Sequence, residues 1–156
     1  MTKPAILELI IATLSAELET LTRAAKDAFA AATDPDSKAE NKYDTRTLEA
    51  SYVARGQAQR VADLQESIHH FRALSGRLLT PPDQVDLGSL VVLETPGGLA
   101  HYLVGPSAGG TEVSADGVEV MVITPSSPLG QKLMGRVPGT SIELRPGWTA
   151  KLVSVA

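Results

Sequence analysis

The first 32 residues carry an apolar repeat of seven residues. Its two seam positions recur at alternating spacings of four and three residues and are occupied by Leu7, Ile11, Leu14, Leu18, Leu21, Ala25, Ala28 and Ala32. This spacing over residues 4–32, with Pro4 in the first turn and no later proline or glycine, predicts a coiled-coil helix. The seam changes from leucine and isoleucine to alanine after residue 24, so we expect the far end of the helix to pack closely and to be thin.

A turn over residues 33–42 and a second helix over about residues 43–74 follow. The Asp34-Pro35 pair ends the first helix, because a residue that precedes proline disfavours the helical conformation. The second helix has positions that recur at steps of three and four, and all but Gln57 are apolar: Ala50, Val53, Gln57, Val61, Leu64, Ile68 and Phe71. Because the turn is short, the two helices are predicted to be antiparallel neighbours. Gly76 ends the second helix, and Pro81-Pro82 prevents its continuation.

After residue 85 the apolar pattern takes the period of β-strands. Short runs rich in β-branched residues, separated by glycine and proline turns, lie at residues 89–94, 100–104, 118–123, 141–144 and 150–155. One short helix is predicted between Ser127 and Met134, with Ser127 as its cap and Pro128 at its first position. The predicted fold class is therefore α+β. A helical hairpin over 1–76 and a linker over 77–84 precede a β-rich domain over 85–156, which is either a small sandwich or a half-barrel.

Composition and charge narrow the classes of function. The chain has six aromatic residues in 156, which suits two small cores better than one large core, and its net charge is −4. Each half carries a small acidic excess and no basic face, so direct binding of duplex DNA is not expected. Without cysteine there are no disulfides or thiolate metal sites. The longest early apolar run, Leu9 to Leu14, is too short for a membrane span. We therefore expect a cytoplasmic protein, and a monomer.

Several segments, in this order along the chain, carry a resemblance to a known family. They are Glu40-Asn41 followed by Tyr43, the strand-like run 85–91, the motif Ser127-Pro128-Leu129-Gly130, and the segments 133–135 and 137–139. This set resembles the Gre factors of bacterial RNA polymerase and covers nearly the whole chain. The resemblance implies an FKBP-like C-terminal domain that docks at the rim of the polymerase secondary channel through Ser127, Pro128, Leu129 and Gly130. It also implies that the helical hairpin enters the channel.

The resemblance further implies a role for acidic residues at the hairpin tip, near 33–44. Gre factors carry an Asp-x-x-Glu-Asn pattern, whose two carboxylates help to hold a second Mg²⁺ and an attacking water at the polymerase active site. Aligned on Glu40, the family's aspartate position holds Ser37, so Asp36 or Asp44 would supply the second carboxylate. The residues expected to support the tip are Asn41 and Tyr43. The protein would bind no cofactor alone, would share Mg²⁺ with the polymerase, and would meet the nascent RNA 3′ end indirectly.

Three functions stay open at this level. The first is an accessory factor, not itself an enzyme, that stimulates RNA cleavage by the polymerase. The second is a channel-binding regulator without that chemistry, in which the tip acids serve only as turn and cap residues. The third is a stand-alone prolyl isomerase or chaperone, which would need an aromatic-lined pocket, although Tyr102 and Trp148 are the only aromatic residues after residue 84. No phosphate loop, zinc spacing or Ser-His-Asp set is present, and His69-His70 is expected to be a surface pair.

Overall fold

Two long helices precede a six-stranded sheet and one short helix. The computed structural model describes residues 1–33, 46–76 and 82–156. The elements are α1 (Lys3–Thr33), α2 (Arg46–Ser75), β1 (Leu90–Thr95), β2 (Gly98–Val104), β3 (Glu112–Ala115), β4 (Val118–Ile123), α3 (Pro128–Leu133), β5 (Ser141–Arg145) and β6 (Trp148–Val155). The predicted α+β fold class is confirmed.

The chain forms two compact units. One comprises Met1–Thr13 and His69–Ala156, and the other comprises Leu14–Ile68. The first unit therefore contains the start of α1 and the end of α2 together with the whole sheet. The domain limits inferred from the sequence stay a prediction, because residues 77–81 of the predicted linker lie outside the described residues.

The strands of the described residues form one sheet in the order β3-β4-β2-β1-β6-β5. Neighbouring strands are antiparallel except β2 and β4, which are parallel. The expectation of a sandwich was wrong, because all six strands pair within this one sheet. Strand β3 was missed because it is only four residues long and lies at the edge of the sheet. The Asp116-Gly117 turn that joins it to β4 is a recognised hairpin signal, and both residues adopt positive φ.

One face of the sheet forms the core with α3. Alternate residues of the strands point to the same face, and the buried residues of this cluster are Val85, Val91, Leu93, Val104, Ile123, Leu133, Ile142, Ala150 and Leu152. Leu133 is the contribution of α3. Val85 is tied to the segment after α3 by two backbone hydrogen bonds: its N–H donates to Arg136 O at 2.8 Å, and the Gly135 N–H donates to its carbonyl oxygen at 2.8 Å.

The opposite face of strands β2 and β4 is equally apolar. Leu103, Val120 and Val122 alternate with the residues of the first core and are fully buried. Phe71 of α2 reaches this face: a Cβ at Gly105 would lie 2.7 Å from its Cζ and 2.8 Å from Cγ1 of Val122. Burial of a phenylalanine side chain contributes about 1.5–3 kcal/mol. The end of α2 therefore serves as part of the core of the sheet unit.

The start of α1 is buried more widely than a coiled-coil seam requires. Ile6 and Ile10 are fully buried beside the seam residue Leu7, although neither belongs to the predicted seam. Both lie in the sheet-containing unit. A helix that packs on more than one partner needs a broader apolar stripe than a two-stranded coiled coil. The consecutive pairs Ile6-Leu7 and Ile10-Ile11 are the sequence signal of that broader stripe.

In the other unit, α1 and α2 pair along the predicted seam. Leu14 and Leu64 are buried, and an ion pair joins Arg60 Nη2 to Glu17 Oε1 at 2.9 Å. Both ionic side chains are largely exposed, so the pair adds at most about 1 kcal/mol. Val53 is one of the predicted recurring positions of α2 but is 53% exposed. Two successive steps of four residues separate Val53 from Val61, and each step exceeds a full helical turn by about 40°. Val53 is therefore rotated around the helix away from the side on which Val61 lies.

We predict that Gly105→Ala destabilises the protein, because the new methyl group would overlap Phe71 and Val122. Overpacking of this kind costs about 1–3 kcal/mol. The matched control is Gly56→Ala, an exposed helical position with nothing within 4 Å of the added Cβ. That change should stabilise α2 by up to about 1 kcal/mol. Urea unfolding followed by circular dichroism measures both, and equal effects of the two variants would contradict the packing described at Gly105.

Candidate docking site around the third helix

The Ser127-Pro128-Leu129-Gly130 motif forms the start of α3. Ser127 Oγ accepts a hydrogen bond from the Gly130 N–H at 3.0 Å and donates one to Thr124 O at 2.7 Å. Pro128 occupies the first turn, where a missing N–H removes no helical hydrogen bond. Ser127 therefore caps the helix and also ties it to the end of β4. The predicted helix start is confirmed.

Gly130 is required by close packing. A Cβ at this position would lie 1.8 Å from the carbonyl oxygen of Thr124, a backbone atom that cannot move aside without distorting the end of β4. Gly130 is buried, and it also accepts a hydrogen bond through its carbonyl oxygen from the Met134 N–H at 2.9 Å. No other amino acid fits this position in the observed backbone. The motif's glycine thus has a complete structural explanation.

The remaining two residues of the motif differ in exposure. Leu129 is half-buried and packs against the core cluster, whereas Pro128 is exposed. Beyond the helix, the segment 135–139 is mostly exposed, and Val137 is 50% exposed. A partner that docks here would meet Pro128 and Val137 directly. The docking role of Ser127, Pro128, Leu129 and Gly130 stays a prediction.

Basic and aromatic side chains that the sequence analysis did not select adjoin α3. Lys132 Nζ donates hydrogen bonds to the carbonyl oxygens of Glu143 at 2.7 Å and Leu144 at 3.2 Å, on edge strand β5. The guanidinium carbon of Arg145 lies 4.1 Å from the ring centroid of Trp148. Trp148 is the first residue of β6, directly after the β5–β6 turn, and is 42% exposed. An arginine three residues before a tryptophan, across Pro146-Gly147, is the signal that could have identified this stack.

The predicted tip residues Asp36, Glu40, Asn41, Tyr43 and Asp44 lie outside the described residues. Within the described residues, no group of three or more His, Asp or Glu side chains could hold a metal ion. His69 and His70 are exposed on α2, with ring centroids 6.1 Å apart, as expected for a surface pair. None of the described helices is both long and apolar enough to cross a membrane.

The two aromatic residues of the sheet region do not line a common pocket. Tyr102 pairs with Val91, which pairs in turn with Val155 at the end of β6. Trp148 stands at the other end of β6, so about 20 Å of strand separates the two positions at roughly 3.3 Å per residue. Tyr102 also packs against the core. This placement disfavours the isomerase or chaperone hypothesis, which requires clustered aromatic side chains.

A comparison with known proteins finds chains of similar structure among the solved structures. The chain resembles GreA factor homolog 1 (Gfh1) of Thermus thermophilus at 21% identity and a TM-score of 0.37, with 94% of each chain covered. It resembles Gfh1 of Thermus aquaticus at 23% identity and a TM-score of 0.36, covering 92% of this chain and 91% of that one. No protein-family model matches the chain. No curated protein matches it either. At this identity and TM-score a likeness does not establish a shared function, so function must be argued from the residues.

We predict that Ser127→Ala lowers the free energy of unfolding by about 0.5–2 kcal/mol, the usual cost of losing a helix cap. Ser126→Ala is the matched control. Ser126 is exposed and its Oγ lies 3.4 Å from Thr124 Oγ1, so its loss should change stability by less than about 0.5 kcal/mol. Thermal unfolding of the two variants checks the prediction. A melting temperature that falls equally in both would show that the cap contributes nothing.

Proposed function

We propose that this chain is a Gre-like accessory factor that binds bacterial RNA polymerase at its secondary channel and modulates transcription elongation. The observation that supports this most is that the residues of Ser127-Pro128-Leu129-Gly130 have different roles in the structure. The serine and glycine build α3, while Pro128 stands exposed at the start of the helix. The fold also accounts for a proline at the first helical position, but it leaves the Pro128 side chain exposed beside the exposed segment 135–139. Docking of a protein partner would use this exposed helix end.

The helical pair suits the second part of the proposal, entry into a channel. Helix α1 has 31 residues, which corresponds to about 45 Å at 1.5 Å per residue. Its seam passes from Leu14 and Leu18 to Ala25 and Ala28 with distance along the chain. Alanine lets two helices approach closely, so the pair becomes narrower as it leads toward residues 34–45. A narrow, mostly exposed helical pair is suited to a confined channel.

Cleavage stimulation would depend on Asp36 and Glu40, with Asp44 as a substitute for the former. Mg²⁺ prefers carboxylate oxygens and retains several waters. Two acidic side chains could therefore complete a metal site of which the polymerase supplies the other ligands. Asn41 and Tyr43 would support the tip in that arrangement. The chain would then contribute ligands and position, and the polymerase would carry out the hydrolysis of its own transcript.

A non-cleaving regulator of the channel is the second candidate, and Ser37 favours it. The family pattern has an aspartate at this position, and a serine hydroxyl carries no negative charge to hold Mg²⁺. Docking through α3 does not involve the tip. A chain with an altered tip would therefore still occupy the channel and alter initiation, pausing or nucleotide entry.

The docking proposal predicts that Pro128→Glu weakens binding to the host's core RNA polymerase by about tenfold or more. Glutamate is tolerated at the first position of a helix, so α3 should persist. Leu129 is a poorer choice because it packs against the core. Leu99→Glu is the matched control, since Leu99 is 62% exposed on β2, on the sheet face opposite Tyr102. Equal affinity of Pro128→Glu and wild type in a fluorescence titration would rule out docking through α3.

The cleavage proposal predicts that the protein shortens RNA in backtracked elongation complexes supplied with Mg²⁺, and that the RNA then extends again with nucleotides. The Asp36→Ala, Glu40→Ala double variant should lose this activity while keeping its affinity for polymerase. Asp27→Ala, an exposed acid on α1, is the control and should retain cleavage. Intact RNA with the wild-type protein, combined with inhibition of a cleavage-competent Gre factor, would instead establish the non-cleaving regulator.

A further inference from the structure

A cluster of exposed basic side chains and one tryptophan continues the surface of α3. We name Lys132, Arg136, Arg145 and Trp148 the basic patch. Its members are linked by contacts: Arg136 Nε donates to Lys132 O at 3.3 Å, and Lys132 Nζ donates to Glu143 O and Leu144 O. Arg145 follows directly in the chain and stacks on Trp148. These contacts join the end of α3 to the β5–β6 turn as one continuous surface.

The charge of the patch is opposite to that of the region that carries it. Residues 82–156 contain four basic and seven acidic residues. Three of those four basic residues belong to the basic patch, and Glu143 is the only acidic residue between Lys132 and Arg145. The fourth, Lys151, lies between the core residues Ala150 and Leu152 and so points to the other face of the sheet. Clustering of cations on one side of an acidic domain provides electrostatic complementarity to an acidic partner.

The arrangement of Arg145 and Trp148 also favours a protein interface. Trp148 leaves nearly half of its surface exposed, and the stacking of the Arg145 guanidinium on its ring restricts the Arg145 side chain before any partner binds. Side chains that are already ordered lose less conformational entropy on binding. Tryptophan and arginine are also the residue types most enriched among the residues that dominate interface affinity.

We propose that the basic patch binds an acidic surface of RNA polymerase that also offers an apolar side chain to Trp148. This inference rests on the proposed function, and it adds residues that the resemblance to Gre factors does not include. The basic patch adjoins the proposed docking surface, because Lys132 lies on the same short helix as the exposed Pro128. The polymerase that docks at Pro128 would therefore also cover the patch. Nucleic acid is disfavoured as the occupant, because three cations on a chain of net charge −4 offer few phosphate contacts.

The test is a titration of the full-length chain, fluorescently labelled, with the host's core RNA polymerase at low and moderate salt. Trp148→Ala removes the aromatic contact, and Arg145→Glu reverses one charge of the patch. Lys151→Glu reverses the same charge on the other face and is the matched control. Thermal unfolding of each variant shows whether it is folded. If Trp148→Ala does not fold, Arg145→Glu is the decisive variant.

We expect each patch variant to bind about tenfold more weakly or worse, and Lys151→Glu to bind within about twofold of wild type. The affinity of Arg145→Glu should also depend less on salt. Wild-type binding that both patch variants retain overturns the inference and leaves the proposed function intact. Absence of wild-type binding overturns both. Loss of affinity for a single-stranded RNA oligonucleotide, with polymerase affinity unchanged, overturns the inference in favour of nucleic acid.

Discussion

Phe71 and Val122 both lie close to the backbone at Gly105, and burial of the sheet's second face depends on this packing. Strands β2 and β4 are apolar on both faces, and the single short helix of the sheet region can cover only one of them. The end of α2 and the start of α1 are therefore part of the sheet-containing unit, not merely attached to it. This constraint explains why Ile6 and Ile10 are buried although a coiled-coil seam would leave them outside. A hairpin built only as a coiled coil would expose the second face to water.

The α3 motif shows how one short sequence can build a local structure and, in the proposed function, also present a docking surface. Gly130 permits the helix to approach Thr124 O, and the Ser127 hydroxyl donates to the same carbonyl and accepts from the Gly130 N–H in the first turn of the helix. Once these two residues have fixed the helix end, its exposed residues are held in a defined orientation. Pro128 and the adjoining Lys132 can then face a partner without losing much conformational freedom on binding. The structural role of the motif is thus a condition for a docking role, and the two explanations do not compete.

The sequence predicted the elements that carry a sustained periodic pattern or a local capping signal. Prediction failed for features that tertiary packing decides. The heptad over α1 and the Ser127 cap were both correct, because each depends on residues within a few turns of one another. Strand β3 and the exposure of Val53 were not predicted. An edge strand needs only one partner and so carries a weak apolar signal. The stack of Arg145 on Trp148 was missed for a related reason, since a register shift between Glu143 and Arg145 sets which side chains meet across the turn.

The two proposed functions differ in chemistry rather than in docking, and this separates what each part of the chain must do. Affinity would come from α3 and the basic patch, whose geometry follows from the packed sheet. Cleavage would come from carboxylates on the segment between α1 and α2, where a shift of one residue moves a carboxylate by roughly 3.5 Å. Mg²⁺ accepts ligand distances only near 2.0–2.1 Å in an almost ideal octahedron. Under the proposal, docking would therefore tolerate sequence change in the tip, whereas cleavage would not, and a chain with Ser37 where Gre factors have an aspartate could keep the first property while losing the second.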